Sequence, residues 1–173
     1  PSSAFVPHQK VSGYSGKKLA NSFNTRVDPV PGQTDKLTGT LTGPEFKIER
    51  KYIVLSVCGG GNAREVYVEV LVEGETIGKV TGHNSIGMQK KHVDVSKYQG
   101  KIAQVRIVDH ARGGWGHITA DRIVLTDTAP QSTGIEGKHG FGSSTLTLLQ
   151  SEADVSISVA ASLTDPDSPA GLF

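Results

Sequence analysis

The chain is predicted to be all-β, an antiparallel β-sandwich of the jelly-roll type, on three observations. Valine, isoleucine and threonine concentrate in short runs, and Val66, Val68, Val70 and Val72 alternate with Tyr67, Glu69, Leu71 and Glu73 in a clear period of two. Breaks bearing glycine, proline or asparagine separate these runs at regular spacing, and about eight to ten short strands fit between them. No window of about eleven or more residues carries a helical apolar period.

Residues 1 to 36 are rich in Ser, Gly, Asn, Pro and Lys, with short apolar patches at Phe5-Val6 and Leu19-Ala20, so strands here are brief or at an edge. Pro29, Pro31 and Gly32 mark a surface loop. Leu37, Gly39 and Leu41 then alternate with threonines, and Phe46, Ile48 and Arg50 with Lys47 and Glu49, with Gly43-Pro44 as the break between two strands. Tyr52 to Val57 is nearly all apolar, as a central strand covered on both faces would be, and it ends in Gly59-Gly60-Gly61-Asn62. Those glycines permit positive φ and close approach by a partner; a phosphate-cradling loop would need a Lys-Ser/Thr that is missing.

Gly74 and Glu75 turn the valine strand into a second one, Thr76 to Val80, giving a hairpin. His83-Asn84-Ser85 reads as loop, Met88 to Val95 as strand, and Asp94 to Lys101 as a one-turn helix or tight turn. Ile102 to Val108 and Ile118 to Leu125 supply two more strands. Residues 1–127 thus form the sandwich module, and 128–173 a Gly/Ser/Thr-rich segment. Its apolar runs, Thr145 to Leu149 and Val155 to Ala161, either add edge strands or begin a further module.

At 173 residues the chain fits one domain with a real core. Eighteen basic and seventeen acidic residues are interspersed, which argues against a nucleic-acid partner needing a basic face. No apolar run is long enough to cross a bilayer, so no membrane partner is expected. The single cysteine, Cys58, excludes an internal disulfide and reads as a small buried hydrophobe. The six histidines are scattered without paired spacing, which gives no zinc site. The start Pro1-Ser2-Ser3-Ala4 has the look of a piece excised from something larger.

The chemistry concentrates at Gly113-Gly114-Trp115-Gly116-His117, which carries the only tryptophan and lies between two strand runs. Two readings stand on local grounds: a flat ring presented for stacking on a sugar, or a ring folded back as a lid on the core. Asp109 and Asp121 are expected on either side of this loop, at the ends of a β-hairpin. As a carboxylate pair they could serve a small glycosidase as general acid and base, or hold a structural calcium, although no acidic run of ligand spacing is present. His117 is either a hydroxyl donor or a core-edge histidine. Arg50 and Glu49 end a strand on opposite faces, so at most one of them faces inward, toward a partner or ligand; the alternative is an exposed edge pair. Asn21 and Ser22 either contact ligand or cap a turn.

Four ordered stretches carry a wider resemblance: Gly16 to Phe23; Thr38 to Thr42 with Glu45 to Arg50; Gly59 to Asn62; and Gly113 to His117 with Asp121-Arg122-Ile123. Together, over residues 12 to 127, they resemble the carbohydrate-binding modules of family 66, found beside the catalytic domains of bacterial levanases and other fructan hydrolases. The resemblance implies a sandwich that is not itself catalytic and needs no cofactor. Such a module binds the terminal fructose of a fructan, belongs to an extracellular or periplasmic enzyme, and partners a catalytic domain on the same polypeptide. The site expected on this basis comprises Trp115, His117, Gly114, Gly116, Asp109, Asp121, Glu49, Arg50, Asn62, Asn21 and Ser22. The chain departs from the family pattern at Lys90 and Val93, where tryptophans are common, and at Ala63-Arg64-Glu65. The alternative is a structural or protein-interaction sandwich of a large extracellular protein, without sugar binding.

Overall fold

A computed structural model describes residues 2–3, 5–6, 9–16, 18–23, 35–130 and 155–156. Two antiparallel sheets face each other. The first runs in the order β1 (Ser2–Ser3), β4 (Lys18–Asn21), β12 (Ile118–Thr126), β7 (Tyr52–Gly59), β10 (Ser85–Asp94), with β13 (Val155–Ser156) also paired to β12. The second runs β5 (Gly39–Thr42), β11 (Ile102–Asp109), β8 (Val66–Val72), β9 (Glu75–Val80), with β6 (Phe46–Lys47) against β11. A short ribbon joins β2 (Phe5–Val6) to β3 (Gln9–Lys10). The chain crosses repeatedly from one sheet to the other, in jelly-roll manner, and the predicted fold class is the observed one. The only helical element among the described residues is a 3-10 turn at Ser96–Tyr98, where a one-turn helix or tight turn is expected.

Alternation builds the core. Ile53, Leu55 and Val57 of β7 face Val66, Val68 and Val70 of β8, all at most 2% exposed, with Val105 and Ile107 of β11 and Ile118 of β12 beside them. Each such side chain contributes roughly 1.5–3 kcal/mol through burial, so the sandwich is held mainly by this interleaf layer. On the outer face of the first sheet a second cluster, Val11, Leu19 and Cys58 with Met88 against it, covers one end. Burial there pushes the Cys58 thiol up to about 11, which makes it inert.

Three details differ from the sequence reading. The strand expected through Arg50 stops at Lys47, because Ile48 leaves the ladder to bond Lys101 and Gly100 across the sheet end. The hairpin turns at Glu73-Gly74, whose φ angles of 54° and 84° suit a two-residue primed turn. Most consequentially, β11 and β12 are not a hairpin: they lie in opposite sheets, and residues 110–117 span the gap between them. The loop expected at Pro29 to Gly32 and the run Thr145 to Leu149 lie outside the described residues; of Val155 to Ala161, Val155 and Ser156 pair with Leu125 and Val124.

Candidate functional site

The crossing loop ends in a tight turn, closed by the Gly116 N–H donating to the Gly113 carbonyl at 2.7 Å. Trp115 sits in that turn with φ at 62°, a left-handed conformation that costs a bulky residue about 1–2 kcal/mol and persists only where surroundings enforce it. Its side chain is nonetheless 41% exposed, so core packing is not what holds it there.

Hydrogen bonding enforces the turn from beneath. The Trp115 N–H donates to Asp35 Oδ2 at 3.2 Å, and Asp35 Oδ1 lies 2.7 Å from Nδ1 of the buried His117. The other ring nitrogen, Nε2, is 2.8 Å from the Gln9 amide nitrogen, which can only donate. The network therefore assigns His117 as neutral, with its hydrogen on Nδ1 and pointed at Asp35. Burial pulls the His117 pKa down and outweighs the opposing pull of Asp35. The chain continues inward: Asn21 Nδ2 donates to Gln9 Oε1 at 2.9 Å, and Thr119 Oγ1 donates to Asn21 Oδ1 at 3.0 Å. Phe23 packs edge-on to His117 at 5.1 Å, and the Trp115 ring lies over it at 5.7 Å.

The triple-glycine loop closes the turn from the side. Gly60 donates its N–H to the His117 carbonyl at 2.8 Å, and a Cβ at Gly60 would collide with the Trp115 carbonyl oxygen. The partner whose approach those glycines permit is the tryptophan loop itself.

Between the two loops lies a shallow depression of about 400 Å³, lined by Trp115, Gly113, Gly114, Asn62, Glu65 and Asn84, among others. Asn84 has φ at 56°, so two of the four left-handed non-glycine residues among the described residues border this one depression. Asn84 Oδ1 accepts the Gly61 N–H at 2.8 Å, which fixes the amide and leaves its NH₂ group available. Asn62 is committed: its Oδ1 accepts the Arg64 N–H at 3.1 Å and its Nδ2 donates to Glu65 Oε2 at 2.8 Å. Glu65 is thereby positioned with acceptor capacity to spare. An exposed ring beside a fixed amide donor and a fixed carboxylate acceptor can hold a small polar molecule with one apolar face.

The sequence-derived residues divide into three groups. Trp115, Gly114 and Asn62 border the depression. Gly116, His117, Asp109, Asn21 and Ser22 are buried beneath or behind the loop and support it, so His117, Asn21 and Ser22 are not surface hydroxyl donors. Ser22 Oγ accepts the Ile118 N–H at 2.8 Å, and Asn21 Oδ1 accepts the Phe23 N–H at 3.0 Å, the turn-capping alternative. Asp109 is wholly buried; its Oδ1 accepts the Ala111 N–H at 3.1 Å and its Oδ2 has no hydrogen-bond partner. Burial raises its pKa to about 7, against the Ser22 hydroxyl and Ala111 N–H that lower it and with nearby Asp35 adding to the rise.

The third group lies elsewhere. Asp121 is on β12 in the first sheet, accepting the Ser15 N–H at 2.6 Å, so the crossover separates it from Asp109 and the expected pair does not converge. Glu49 is exposed, and Arg50 pairs with Asp127 at 2.9 Å. Both precede Tyr52, at the end of the eight-residue β7 remote from Gly59, about 26 Å along the strand from the tryptophan loop. Among the described residues no group of three or more His, Cys, Asp or Glu side chains could hold a metal ion. Asp35, Glu65 and Asn84 were not indicated by the sequence as site residues; the glycines flanking His83 to Ser85 were the one local signal for Asn84.

No family model matches the chain. Over 118 residues it is 35% identical to a protein of Aspergillus rugulosus named "Putative glycosyl hydrolase ecdE", a match covering 68% of this chain. The chain spans only 16% of that relative's length. A solved family 35 carbohydrate-binding module from an environmental isolate is similar over 75% of this chain and 92% of its own, at 17% identity and a TM-score of 0.34. A likeness that slight carries no argument.

Proposed function

We propose that this chain is a non-catalytic carbohydrate-binding module that seats a terminal sugar against Trp115. One observation carries the reading: an exposed tryptophan is held in an unfavourable backbone conformation by Asp35, itself anchored on the buried His117, beside a depression whose free polar groups are Asn84 and Glu65. A sugar ring needs that combination, an apolar platform for its C–H face and rigid partners for adjacent hydroxyls. The partial match to a protein named as a glycosyl hydrolase supports a module that accompanies a glycoside-cleaving domain on one polypeptide. The family 66 resemblance makes a terminal fructose of levan or inulin the first ligand to try, and a secreted parent enzyme the setting.

The site is shallow, so affinity for one sugar is weak. The module acts by concentration, keeping an attached catalytic domain near a polymer that offers many chain ends. Isothermal titration with levan- and inulin-derived oligosaccharides, alongside a panel of other neutral glycans, tests the reading. Saturable binding that Trp115→Ala removes is the expected result. Binding to none of the glycans, or binding indifferent to Trp115, overturns it.

A further inference from the structure

The hydrogen bonds beneath Trp115 form a series whose direction is set at a distance. Asn21, at the end of β4, accepts the Phe23 N–H and the Thr119 hydroxyl on its Oδ1, each at 3.0 Å. A main-chain N–H can only donate, so the Asn21 amide has one orientation and presents its NH₂ group to Gln9 Oε1 at 2.9 Å. Gln9 is oriented in turn, and its own NH₂ group faces His117 Nε2 at 2.8 Å. That nitrogen must accept, which leaves the ring's hydrogen on Nδ1, toward Asp35 Oδ1 at 2.7 Å. Every donor in the series points from Phe23 toward Asp35, where the Trp115 N–H arrives from the other side at 3.2 Å.

Gln9 has a specific task in this series. A carboxylate beside an imidazole favours a second proton on the ring. The Gln9 NH₂ group occupies the Nε2 lone pair, and together with burial it keeps His117 neutral.

Gln9, Asn21, His117 and Thr119 are each at most 3% exposed. Buried amides and imidazoles stabilise only when every one is satisfied, and apolar side chains would fill the same space without that condition. The series leads out of the interior, to Asp35 and to a left-handed Trp115 whose ring is exposed. Gln9 itself belongs to the short β2–β3 ribbon, which is part of neither main sheet, and its burial keeps it from touching a ligand in the depression. We propose that Gln9 is a positioning residue for the tryptophan site: oriented by Asn21, it fixes His117 and, through Asp35, holds Trp115 in its turn from outside the depression. This role in binding rests on the reading of the Trp115 loop as a sugar site, and it makes the N-terminal ribbon part of the binding apparatus.

The test uses the full chain in wild type, Gln9→Ala, Gln9→Glu and Asn21→Asp. At neutral pH it reads the His117 ring nitrogens by NMR, the fluorescence anisotropy of the single tryptophan, and affinity for a levan-derived oligosaccharide. Wild type should show the neutral Nδ1–H form. Gln9→Ala frees the ring, so Trp115 anisotropy falls and affinity weakens about tenfold, the worth of one hydrogen bond. Asn21→Asp cannot donate to Gln9 Oε1; Gln9 then turns its oxygen to Nε2 and His117 becomes an imidazolium, although Gln9 stands between the substitution and the ring. Gln9→Glu also yields an imidazolium but keeps the Nδ1–H bond to Asp35, so anisotropy stays near that of wild type. It preserves the side chain's shape and tests the series even if Gln9→Ala does not fold. A group that merely filled the core would not change the ring's protonation in this pattern. An Nε2–H or doubly protonated ring in wild type overturns the proposal. So does unchanged anisotropy or affinity in folded Gln9→Ala, or a ring that stays neutral in both Gln9→Glu and Asn21→Asp. A wild type that binds no glycan sinks the sugar reading alone, and the ring spectra and anisotropy then decide whether Gln9 positions Trp115.

Discussion

Asp35 Oδ1 lies 2.7 Å from His117 Nδ1 while its other oxygen accepts the Trp115 backbone N–H at 3.2 Å, so one carboxylate ties the exposed ring to the buried imidazole beneath it. Asp35→Ala leaves a buried N–H without its acceptor, at about 1–3 kcal/mol, and frees the turn. Differential scanning calorimetry should show a melting temperature lower by roughly 3–8 °C, and glycan binding at the tryptophan loop should weaken as well. Asp35→Asn keeps one acceptor oxygen and should fall between the two.

Trp115 is strained by its backbone and exposed by its side chain, which separates its effects on stability and binding. Covering the exposed half of an indole is worth about 2 kcal/mol, so Trp115→Ala and Trp115→Gly should both lose roughly thirty-fold in sugar affinity. Their stabilities should differ: glycine accepts the left-handed turn at no steric cost, so Trp115→Gly should melt no lower than Trp115→Ala. Collapse of the fold in both variants would mean that the ring serves as a lid on the core.

How much of this was legible in the sequence follows from the range of each interaction. The alternation of Val66 to Val72 is local, and it gave both strand and face. Periodicity cannot say which sheet a strand joins, so Ile102–Asp109 and Ile118–Thr126 looked like a hairpin when they lie in opposite sheets. Gly113 to Gly116 announced a turn because three glycines fall within four residues. Asp35 and Gln9 reach His117 across 82 and 108 positions, and neither lies in a periodic run. The same blindness applied to Arg50, whose partner Asp127 is 77 positions away.

Gly60→Ala should couple stability to binding where Trp115→Gly does not. The added methyl meets the Trp115 carbonyl and the Val66 side chain, and the carbonyl is held by its turn, so the loops must part. Overpacking of this kind costs roughly 1–3 kcal/mol. Both the melting temperature and glycan affinity should drop, and a variant with unaltered affinity would show that loop spacing does not matter to the ligand.

Arg50→Ala provides the contrasting control. Its ion pair with Asp127 is exposed on both sides, at 41% and 39%, and lies at the far end of β7. Exposed pairs contribute little, so melting temperature and sugar binding should both be unchanged. A loss of binding would bring Arg50 into a ligand site.

Asp109 sets the pH dependence. Its pKa is raised from the ordinary 3.8 to about 7, chiefly because burial disfavours the charged form. Between those values the folded protein keeps the proton and the unfolded chain loses it, so the folded state binds more protons and stability falls as pH rises. The contribution is fully present below about pH 4, declines up to about pH 7, and is gone above it. His117 acts in the opposite sense: its pKa is lowered by burial, so protonation of the unfolded chain below its ordinary value of 6.5 removes stability as pH falls. Asp109→Asn isolates the first effect, since an amide fills the same space without titrating. Urea unfolding across pH 4 to 8 should show the stability of Asp109→Asn gaining on wild type up to about pH 7 and running parallel to it above. A constant difference across the range would mean that Asp109 titrates as an ordinary surface carboxylate, contrary to its complete burial.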